Sequence, residues 1–503
     1  MVSQIINDLF LFDIYIKQVY DIGSIMVKKQ FKLNPYLLLI LSFLGIVFVG
    51  SFLLSMPFVF KGNTNNEWCY KTTYLDAFFT ALASMSLTGV TTYQNGLANT
   101  LTVYGQIIVL VLMQIGGLGI VTILTFLFSI FRRKMEFKDR LLISQAISFT
   151  NYSDIVTFVR RLMAISLICE IIGFGLGVPV FLHIFPDRID KVLFYSLFHS
   201  VSAFNNVGFD LFEGTGSLIT SLDVADGVFV GTDNWLYYYF TIYISVLSLL
   251  GGISFLVIID IFWGKKPPKR WSSFTKIVLS TTALLIVVFS FLLFLTDGFK
   301  SENRLTLFEA FIQIINCRTA GFSVYKETDI SLPGRMICCL MMFIGGSPLS
   351  TAGGIKITTI FIIIISIASY FSGKRLSMFK RRYSDAMVAK SLTLVFVVLA
   401  ILIIAFVVLN FFGIKEATDN PLPANIKDNI AEYYLFEVFS FFGNVGFVTG
   451  LESSLSIGSK IILCLLMLLG HLGPMAFFQI FQNHLDKNAH MHYSFVEEDF
   501  LIG

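Results

Sequence analysis

The stretch FHSVSAFNNVGF at residues 198–209 carries the pattern that decides the fold, because related stretches recur at three other places. They are FTALASMSLTGV at 79–90, FIQIINCRTAGF at 311–322 and FEVFSFFGNVGF at 436–447. Each copy starts with a phenylalanine and has a glycine ten residues later, and the glycines are spaced by roughly 120 residues, as in an internal repeat. Chance does not explain four copies in register, even in a chain with 54 phenylalanines. The chain therefore consists of four copies of one unit.

Long apolar stretches flank every copy of this motif. Of the 503 residues, 55% are hydrophobic and only 14% are charged, whereas soluble domains carry about 25% charged residues. This composition excludes a soluble enzyme, a nucleic-acid-binding protein and a disordered protein. Membrane spans of roughly 20 residues or more are predicted near 35–60, 101–131, 157–184, 236–263, 274–297, 332–370, 387–413 and 457–481.

The predicted fold is an all-α polytopic membrane protein. Four membrane-helix/pore-loop/membrane-helix repeats are expected to surround one ion pore in a pseudo-fourfold arrangement. The predicted divisions are a cytosolic amphipathic lead-in at 1–34, repeat 1 at 35–140, repeat 2 at 141–271, repeat 3 at 272–384, repeat 4 at 385–482 and a cytosolic C-terminal tail at 483–503.

Charged residues between the repeats predict the orientation, because basic loops face the cytoplasm. Both termini are therefore expected to be cytoplasmic, and no cleaved signal peptide is expected, because no basic region precedes the apolar part of the N-terminus. The loop at 210–233 has five acidic residues and no lysine or arginine, which fits either cation attraction or mere solubility. The basic clusters are Lys28/Lys29/Lys32, Arg132/Arg133/Lys134/Lys138/Arg140, Lys265/Lys266/Lys269/Arg270 and Lys374/Arg375/Lys380/Arg381/Arg382.

Four non-helical loops are predicted where the motif ends in glycine. They are called here glycine loops 1 (86–90), 2 (205–209), 3 (318–322) and 4 (443–447). Unpaired backbone at membrane depth is tolerated where it is buried in protein or lines a wet cavity. Four such loops around one axis present rings of carbonyl oxygens that can replace the hydration shell of a cation. A cation pore is therefore the leading interpretation.

Two other classes of membrane protein remain as alternatives. An organic-solute transporter usually has two repeats, and four glycine loops in register count against it. An intramembrane enzyme needs a nucleophile with a base, or a metal motif such as HExxH, and the chain has neither. The six cysteines have no CxxC spacing, so no disulfide framework or metal site is expected.

From about residue 35 onward the chain resembles the Trk/Ktr/HKT superfamily of potassium transporters, most closely the Ktr-type membrane-spanning potassium uptake subunit. The motifs that carry the resemblance are FHSVSAFNNVGF, NCRTAGF, MQIGGLGI at 113–120, GGSPLSTAGGIK at 345–356 and the ending VEEDFLIG at 496–503. The resemblance implies a potassium selectivity filter formed by Ser86, Leu87, Thr88, Gly89, Asn206, Val207, Gly208, Thr319, Ala320, Gly321, Asn444, Val445 and Gly446.

The stretch at 345–354, called here the intramembrane loop, interrupts the second span of repeat 3. A proline and four glycines break a membrane helix, and the alternative to a functional role is a packing kink. By resemblance the loop is a gate beneath the filter, although Leu349 stands where relatives often have glycine. The implied gate residues are Gly345, Gly346, Ser347, Ser350, Thr351, Gly353, Gly354 and Lys356.

Two filter and pore positions bear on ion preference. Superfamily members with serine in the first loop tend toward sodium, so Gly89 favours potassium. The last span reads GHLGP at 470–474, where relatives usually have arginine, so His471 is expected to line the inner pore without a fixed charge; a packed neutral histidine is the alternative. His199 is expected to be structural.

Carboxylates at membrane depth are expected to be paired, because an unpaired charge there is costly. Glu170, Glu309 and Glu437 are such residues, and Arg318 beside glycine loop 3 is a candidate partner for them.

The resemblance also implies partners and regulation. The protein is expected to be a homodimer in the plasma membrane that docks on a cytosolic ring of RCK-type subunits, which bind ATP, ADP or NADH and gate the pore. The chain itself is expected to bind no cofactor and no nucleic acid, with potassium as its substrate and lipid around it. A sodium-permeable or sodium-coupled transporter of the same superfamily is the alternative function.

Overall fold

The structure, a computed structural model, describes residues 35–61, 73–93, 96–119, 155–212, 235–264, 267–300, 304–318, 320–379, 381–413 and 429–474. Several predicted features lie outside these residues: the lead-in at 1–34, Ile120 of the MQIGGLGI motif, the basic cluster at 132–140, the acidic loop from 213 onward, Lys265, Lys266, Thr319, Lys380 and the tail at 483–503.

The described chain is almost entirely helical. Repeat 1 contains α1 (Pro35–Leu54), α2 (Tyr74–Met85), α3 (Gly96–Thr100) and α4 (Val103–Leu118). Repeat 2 contains α5 (Ile155–Ile184), α6 (Ile189–Phe204), α7 (Trp235–Gly252) and α8 (Phe255–Phe262). Repeat 3 contains α9 (Ser273–Asp297), α10 (Leu307–Cys317), α11 (Leu332–Phe343) and α12 (Ile357–Ser372). A small hairpin, β1 (Ser377–Met378) and β2 (Arg381–Arg382), precedes repeat 4 with α13 (Asp385–Gly413), α14 (Ile430–Gly443) and α15 (Ile457–Leu472).

The helices α5, α7, α9 and α13 are long and apolar enough to cross a membrane. Their outward faces carry large apolar side chains that are exposed within the chain, such as Phe396 and Phe411 of α13. Exposed apolar surface of this kind fits contact with lipid. Other apolar helices, among them α4, α11, α12 and α15, are shorter than these four.

The helices α2, α6, α10 and α14 precede the glycine loops and are called here the short helices. Each has an acidic residue in its first turn: Asp76, Asp190, Glu309 and Glu432. Negative charge stabilises the N-terminal end of a helix, whose opposite end carries partial negative charge. The negative ends of the short helices therefore lie next to the glycine loops.

Pairs of charged residues join the repeats near the starts of these helices. Lys460 of α15 contacts Asp76 of α2 at 2.7 Å and so joins repeats 4 and 1. Arg335 of α11 contacts Glu432 of α14 at 2.8 Å and joins repeats 3 and 4. Repeats 1 and 4 also share an apolar core, in which the rings of Phe79 and Phe441 are 5.9 Å apart. Ion pairs thus join repeat 4 to both repeat 1 and repeat 3.

The second membrane segment of repeat 2 differs from the prediction. A continuous span was expected near 236–263, but α7 ends at Gly252 and α8 begins at Phe255. Glycine pairs and nearby serines are a recognised cause of helix interruption, and the sequence here is Gly251-Gly252-Ile253-Ser254. The corresponding segment of repeat 3 has a longer interruption, between α11 and α12.

Candidate functional site

Glycine loops 1, 2 and 4 touch one another through their glycines. A Cβ atom at Gly89 would collide with the carbonyl oxygen of Val207 in loop 2. One at Gly446 in loop 4 would collide with the carbonyl oxygen of Thr88 in loop 1. At both positions a glycine hydrogen occupies the space against a neighbouring backbone.

Glycine loop 3 completes this arrangement. A Cβ at Gly208 would lie 2.8 Å from the carbonyl oxygen of Ala320, and one at Gly321 would lie 2.7 Å from that of Val445. The loops therefore abut in the order 1, 2, 3, 4 and back to 1. They form a closed ring in which each glycine faces a backbone carbonyl of the next loop.

The backbone at the four glycines has a conformation that side chains rarely adopt. Their φ angles are +71° at Gly89, +90° at Gly208, +72° at Gly321 and +88° at Gly446. A side chain would be strained as well as obstructed, so the ring requires glycine. The carbonyl groups that meet here are the ligands that cation filters use in place of water.

Three of the short helices end in the same hydrogen-bonded turn. In each, a residue with positive φ follows the helix, and the next N–H donates to a carbonyl five residues earlier, as in the Schellman motif. The bonds are Thr88 N to Ala83 O at 2.8 Å, Val207 N to Ser202 O at 2.8 Å and Val445 N to Ser440 O at 3.0 Å. The positive-φ residues are Leu87, Asn206 and Asn444.

Repeat 3 ends its short helix differently. Ala320 N donates to Asn316 O, one residue closer, at 2.9 Å. Among the positive-φ residues of the other three repeats, Leu87 is unusual, because a bulky side chain is seldom found at a φ of +63°. Its side chain is buried, so packing holds the strained backbone in place.

Asn444 ties glycine loop 4 to glycine loop 1. Its Nδ2 donates to the carbonyl oxygen of Ser86 and to Oγ1 of Thr88, both at 2.9 Å. The hydroxyls of Ser86 and Thr88 are themselves 2.8 Å apart. The predicted filter residues of these two loops therefore form one hydrogen-bonded group.

Each short helix also carries a polar side chain that bonds the chain just beyond its own glycine. In repeat 2 the Leu211 N–H donates to Nε2 of His199, whose Nδ1 bonds Tyr195 O, so His199 is structural as expected. Glu437, predicted to be paired behind the filter, accepts from Thr449. The bonds are Thr80 Oγ1 to Thr91 Oγ1 at 3.1 Å, Leu211 N to His199 Nε2 at 3.4 Å, Val324 N to Gln313 Oε1 at 3.0 Å and Thr449 Oγ1 to Glu437 Oε1 at 2.9 Å.

The intramembrane loop of repeat 3 docks in the helix break of repeat 2. Ser347 N donates to the carbonyl oxygen of Gly252 at 3.3 Å, and Phe255 N donates to that of Leu349 at 3.0 Å. These are backbone groups that a continuous helix through residues 252–255 would have used internally. The break in α7–α8 is therefore a receptor for the loop.

Thr351 connects the intramembrane loop to glycine loop 2. Its hydroxyl accepts a hydrogen bond from Asn206 Nδ2 at 2.9 Å and donates to Gly251 O at 3.1 Å. On the other side, a Cβ at Gly353 would lie 2.6 Å from Oδ1 of Asn444. The predicted gate residues thus lie directly against two of the four glycine loops.

The two ends of the intramembrane loop are held together. Ile355 N donates to Phe343 O at 3.2 Å, and Ile357 N donates to Gly346 O at 3.0 Å. Inside the loop, Ser350 Oγ donates to Ser347 O at 2.7 Å. The remaining glycines allow close approach, since a Cβ at Gly345 would collide with the carbonyl of Gly353, and Gly354 has a positive φ of +70°.

Two basic side chains lie near this assembly. Lys356 Nζ donates to the carbonyl oxygen of Ala352 at 2.6 Å, within its own segment. His471 lies near the backbone of Ser86, and its ring centroid is 5.3 Å from that of Phe43. His471 therefore lies beside glycine loop 1.

The predicted pairing of Arg318 with a carboxylate is wrong. Its three guanidinium nitrogens have no hydrogen-bond partner among the described residues. Glu309 instead caps the start of α10, accepting from Thr306 N at 2.8 Å, and Arg318 follows the other end of that helix, roughly 13 Å away at 1.5 Å per residue. Glu170 accepts from Gln114 at 2.9 Å and from Ser166 at 2.8 Å.

Sequence reasoning missed the helix break and the bonds behind the glycine loops. The break had a signal in the glycines and serine of 251–254. The bonds behind the glycine loops had a weaker sequence signal. Thr92 and Thr449 both lie three residues after the glycine of their loop, and both donate to a carboxylate of their short helix.

The chain is similar in sequence to a known protein family and to several individual proteins. Residues 56–492 match the TrkH family, described as a cation transport protein. Potassium/sodium uptake protein NtpJ of Enterococcus hirae is 31% identical over 492 residues, which cover 95% of this chain and 100% of that protein. Ktr system potassium uptake protein B of Bacillus subtilis is 28% identical over 460 residues, covering 90% of this chain and 94% of its own length.

The fold has a solved counterpart. The potassium transporter TrkH from Vibrio parahaemolyticus superposes with a TM-score of 0.60 at 18% identity, covering 90% of this chain and 86% of that one. This similarity confirms the all-α polytopic membrane fold. The relatives are transporters and not enzymes, and the chain belongs to the TrkH family of cation transport proteins.

Proposed function

We propose that the protein takes up potassium across the plasma membrane through the ring of four glycine loops. The observation that carries this proposal is the closed contact of Gly89, Gly208, Gly321 and Gly446, each against a backbone carbonyl of the next loop. Carbonyl oxygens in such a ring replace the hydration shell of a potassium ion. The negative ends of the four short helices lie next to the ring and favour a cation there.

Relatives support potassium as the substrate and leave sodium as the competing outcome. Three relatives are named as Ktr system potassium uptake proteins, and the Enterococcus relative is named for both potassium and sodium. Gly89 favours potassium, because a larger residue there would push against Val207 and distort the ring. A sodium-permeable or sodium-coupled pore is the alternative that the experiment below separates.

The intramembrane loop is the gate in this proposal. It lies directly against glycine loops 2 and 4, and its bonds to α7 and α8 hold it in the helix break of repeat 2. In this docked position we expect it to block the path of the ion. Lys356 and His471 add basic groups near the same path. Opening requires the loop to leave the helix break of repeat 2.

Regulation is proposed to come from partner subunits. Several relatives are named as parts of a Ktr system, and this naming supports a partner subunit. The homodimer and the cytosolic RCK-type ring that binds ATP, ADP or NADH are proposed from the resemblance alone. Exposed basic residues are available for such a ring on the segments expected to be cytoplasmic. They are Lys269, Arg270, Lys374, Arg375 and, on the β1–β2 hairpin, Arg381 and Arg382.

The proposal is tested by tracer flux into proteoliposomes that contain the purified chain. We expect rubidium and potassium uptake to exceed sodium uptake. Equal uptake of sodium and potassium would support the sodium-permeable alternative. If no cation is taken up, even after a cytosolic ring is added, the pore assignment is wrong.

The variant Gly89→Ser tests the ring itself. The added side chain meets the Val207 carbonyl, so we expect the ratio of rubidium to sodium uptake to fall at least about tenfold, the effect of ~1.4 kcal/mol on competing rates. Gly373→Ser is the matched control, because Gly373 also has a positive φ of +60° but has open space where a Cβ would lie. An unchanged ratio in a well-assembled Gly89→Ser variant would refute the filter assignment.

A further inference from the structure

The bond behind glycine loop 4 uses a buried carboxyl group that forms no ion pair among the described residues, whereas Asp76, which accepts from Thr92 behind glycine loop 1, is paired with Lys460. Glu437 in α14 is 0% exposed, and its Oε1 accepts a hydrogen bond from the Thr449 hydroxyl at 2.9 Å. Its Oε2 has no hydrogen-bond partner among the described residues. A carboxyl group is costly to bury at membrane depth. An apolar side chain would fill this space more favourably, which points to a task other than packing.

Glycine loop 4 also lacks a second bond that loops 2 and 3 possess. Ser202 Oγ donates to the carbonyl oxygen of Phe209 at 2.8 Å, and Asn316 Nδ2 donates to that of Phe322 at 2.7 Å. Ser440 has the same position in α14 as Ser202 has in α6, six residues before the glycine. The hydroxyl of Ser440, however, has no partner in the described part of the chain. Loop 4 therefore depends more on the bond behind it than loops 2 and 3 do.

Displacement of glycine loop 4 is passed on to glycine loop 1. Asn444 donates to Ser86 O and to Thr88 Oγ1, and Gly446 lies against the Thr88 carbonyl. The positions of glycine loops 4 and 1 in the ring thus both depend on where Asn444 and Gly446 lie. Whatever holds that segment to α14 also sets the spacing between these two loops.

We propose that Glu437 and Thr449 are a positioning pair that sets the preference of the pore for potassium over sodium. The pair acts by holding the segment after Gly446 against α14, which fixes the distance between the carbonyls of loops 4 and 1. Neither side chain contacts the ion. This inference rests on the proposed function, since it assigns a selectivity determinant to the same ring.

The test compares rubidium and sodium tracer uptake into proteoliposomes that contain the full chain. Thr449→Val removes the hydroxyl but keeps the shape of the side chain, and Glu437→Ala removes the acceptor. We expect each to lower the uptake ratio of rubidium to sodium about fivefold, the usual effect of one lost hydrogen bond. Glu437→Gln keeps a carbonyl acceptor for Thr449 and is expected to retain the ratio of the unmodified chain.

Controls separate a positioning role from general damage. Thr393→Val is matched to Thr449→Val, because the Thr393 hydroxyl bonds only its own helix, at Ala389 O, among the described residues; its ratio should not change. The double variant Glu437→Ala/Thr449→Val should be no worse than Glu437→Ala, since both remove one interaction. An unchanged ratio in Thr449→Val, or a Glu437→Gln variant as unselective as Glu437→Ala, overturns the inference. An unmodified chain without preference overturns the proposed function and this inference together.

Discussion

The glycine loops and the intramembrane loop are both glycine-rich, non-helical and buried, yet they are held in opposite ways. Each glycine loop is bonded to the short helix of its own repeat, as in the bond between Thr449 and Glu437, 12 residues apart. The intramembrane loop is bonded to α7 and α8 of another repeat, as in the bond between Thr351 and Gly251, 100 residues apart. Local bonds keep a loop in place as long as its own helix is folded. Bonds to another element break whenever that element moves.

The base of the intramembrane loop strengthens this contrast. Its ends are joined by the bonds between Ile355 and Phe343 and between Ile357 and Gly346. The loop can therefore leave the break in α7–α8 as a unit while α11 and α12 stay together. The ring of glycines has no equivalent freedom, because each loop is in contact with two neighbours. The proposed filter and the proposed gate therefore differ in how easily they move.

Deletion of residues 347–351 should give the largest change in transport. It removes the bonds that Ser347, Leu349 and Thr351 make to repeat 2. If each of the three contributes about 1 kcal/mol to the docked state, flux should rise by about a hundredfold. The ratio of rubidium to sodium uptake should not change, because the ring is intact. A variant that still closes would show that the gate lies elsewhere.

Thr351→Val should have a smaller effect in the same direction. The variant loses the bonds to Asn206 and Gly251 but keeps the volume of the side chain, so we expect basal flux to rise about tenfold. Ser350→Ala is the matched control, because the Ser350 hydroxyl bonds Ser347 within the loop. Equal flux in the two variants would contradict the docking role of Thr351.

Lys460→Met should leave transport selectivity unchanged and lower stability. Asp76 would lose its 2.7 Å contact with Lys460, and an incompletely bonded buried carboxylate costs about 1–3 kcal/mol of folding free energy. Thermal unfolding in detergent measures this loss. Arg188→Ala, which removes the exposed and longer Arg188–Asp190 pair at 3.5 Å, is the control and should unfold as the unmodified chain does. A selectivity change in Lys460→Met would show that the ring depends on the fastening between repeats.

Much of the fold follows from the sequence because membrane helices and repeats leave strong local signals. The span predicted at 274–297 is the helix Ser273–Asp297, and the span predicted near 387–413 is the helix Asp385–Gly413. The glycines of the four loops were placed by register alone. Their contact with the carbonyls of the next loop required the structure, because it depends on the packing of four separate repeats.

The missed features depend on partners that are distant in sequence. The break between Gly252 and Phe255 is stable because Ser347 and Leu349 of another repeat complete its hydrogen bonds. The sequence of either segment alone does not indicate that it contacts the other. Arg318 was a candidate partner for the carboxylates because it lies beside glycine loop 3, but Glu309 lies in the first turn of α10 and Arg318 follows the other end of that helix. The sequence shows that a buried charged side chain needs a partner, but it does not show which residue that side chain reaches in the fold.

The ring is closed by one polypeptide, and this has a consequence for how it can vary. In a filter built from four identical subunits, a single codon change alters all four quarters at once. Here a substitution alters one quarter only, and the remaining three continue to supply their carbonyls. The different bonds behind the loops, through threonine, histidine, glutamine and glutamate, are the kind of divergence that this arrangement permits. If the ring is the filter, as proposed above, ion preference can therefore be adjusted in small steps, one repeat at a time.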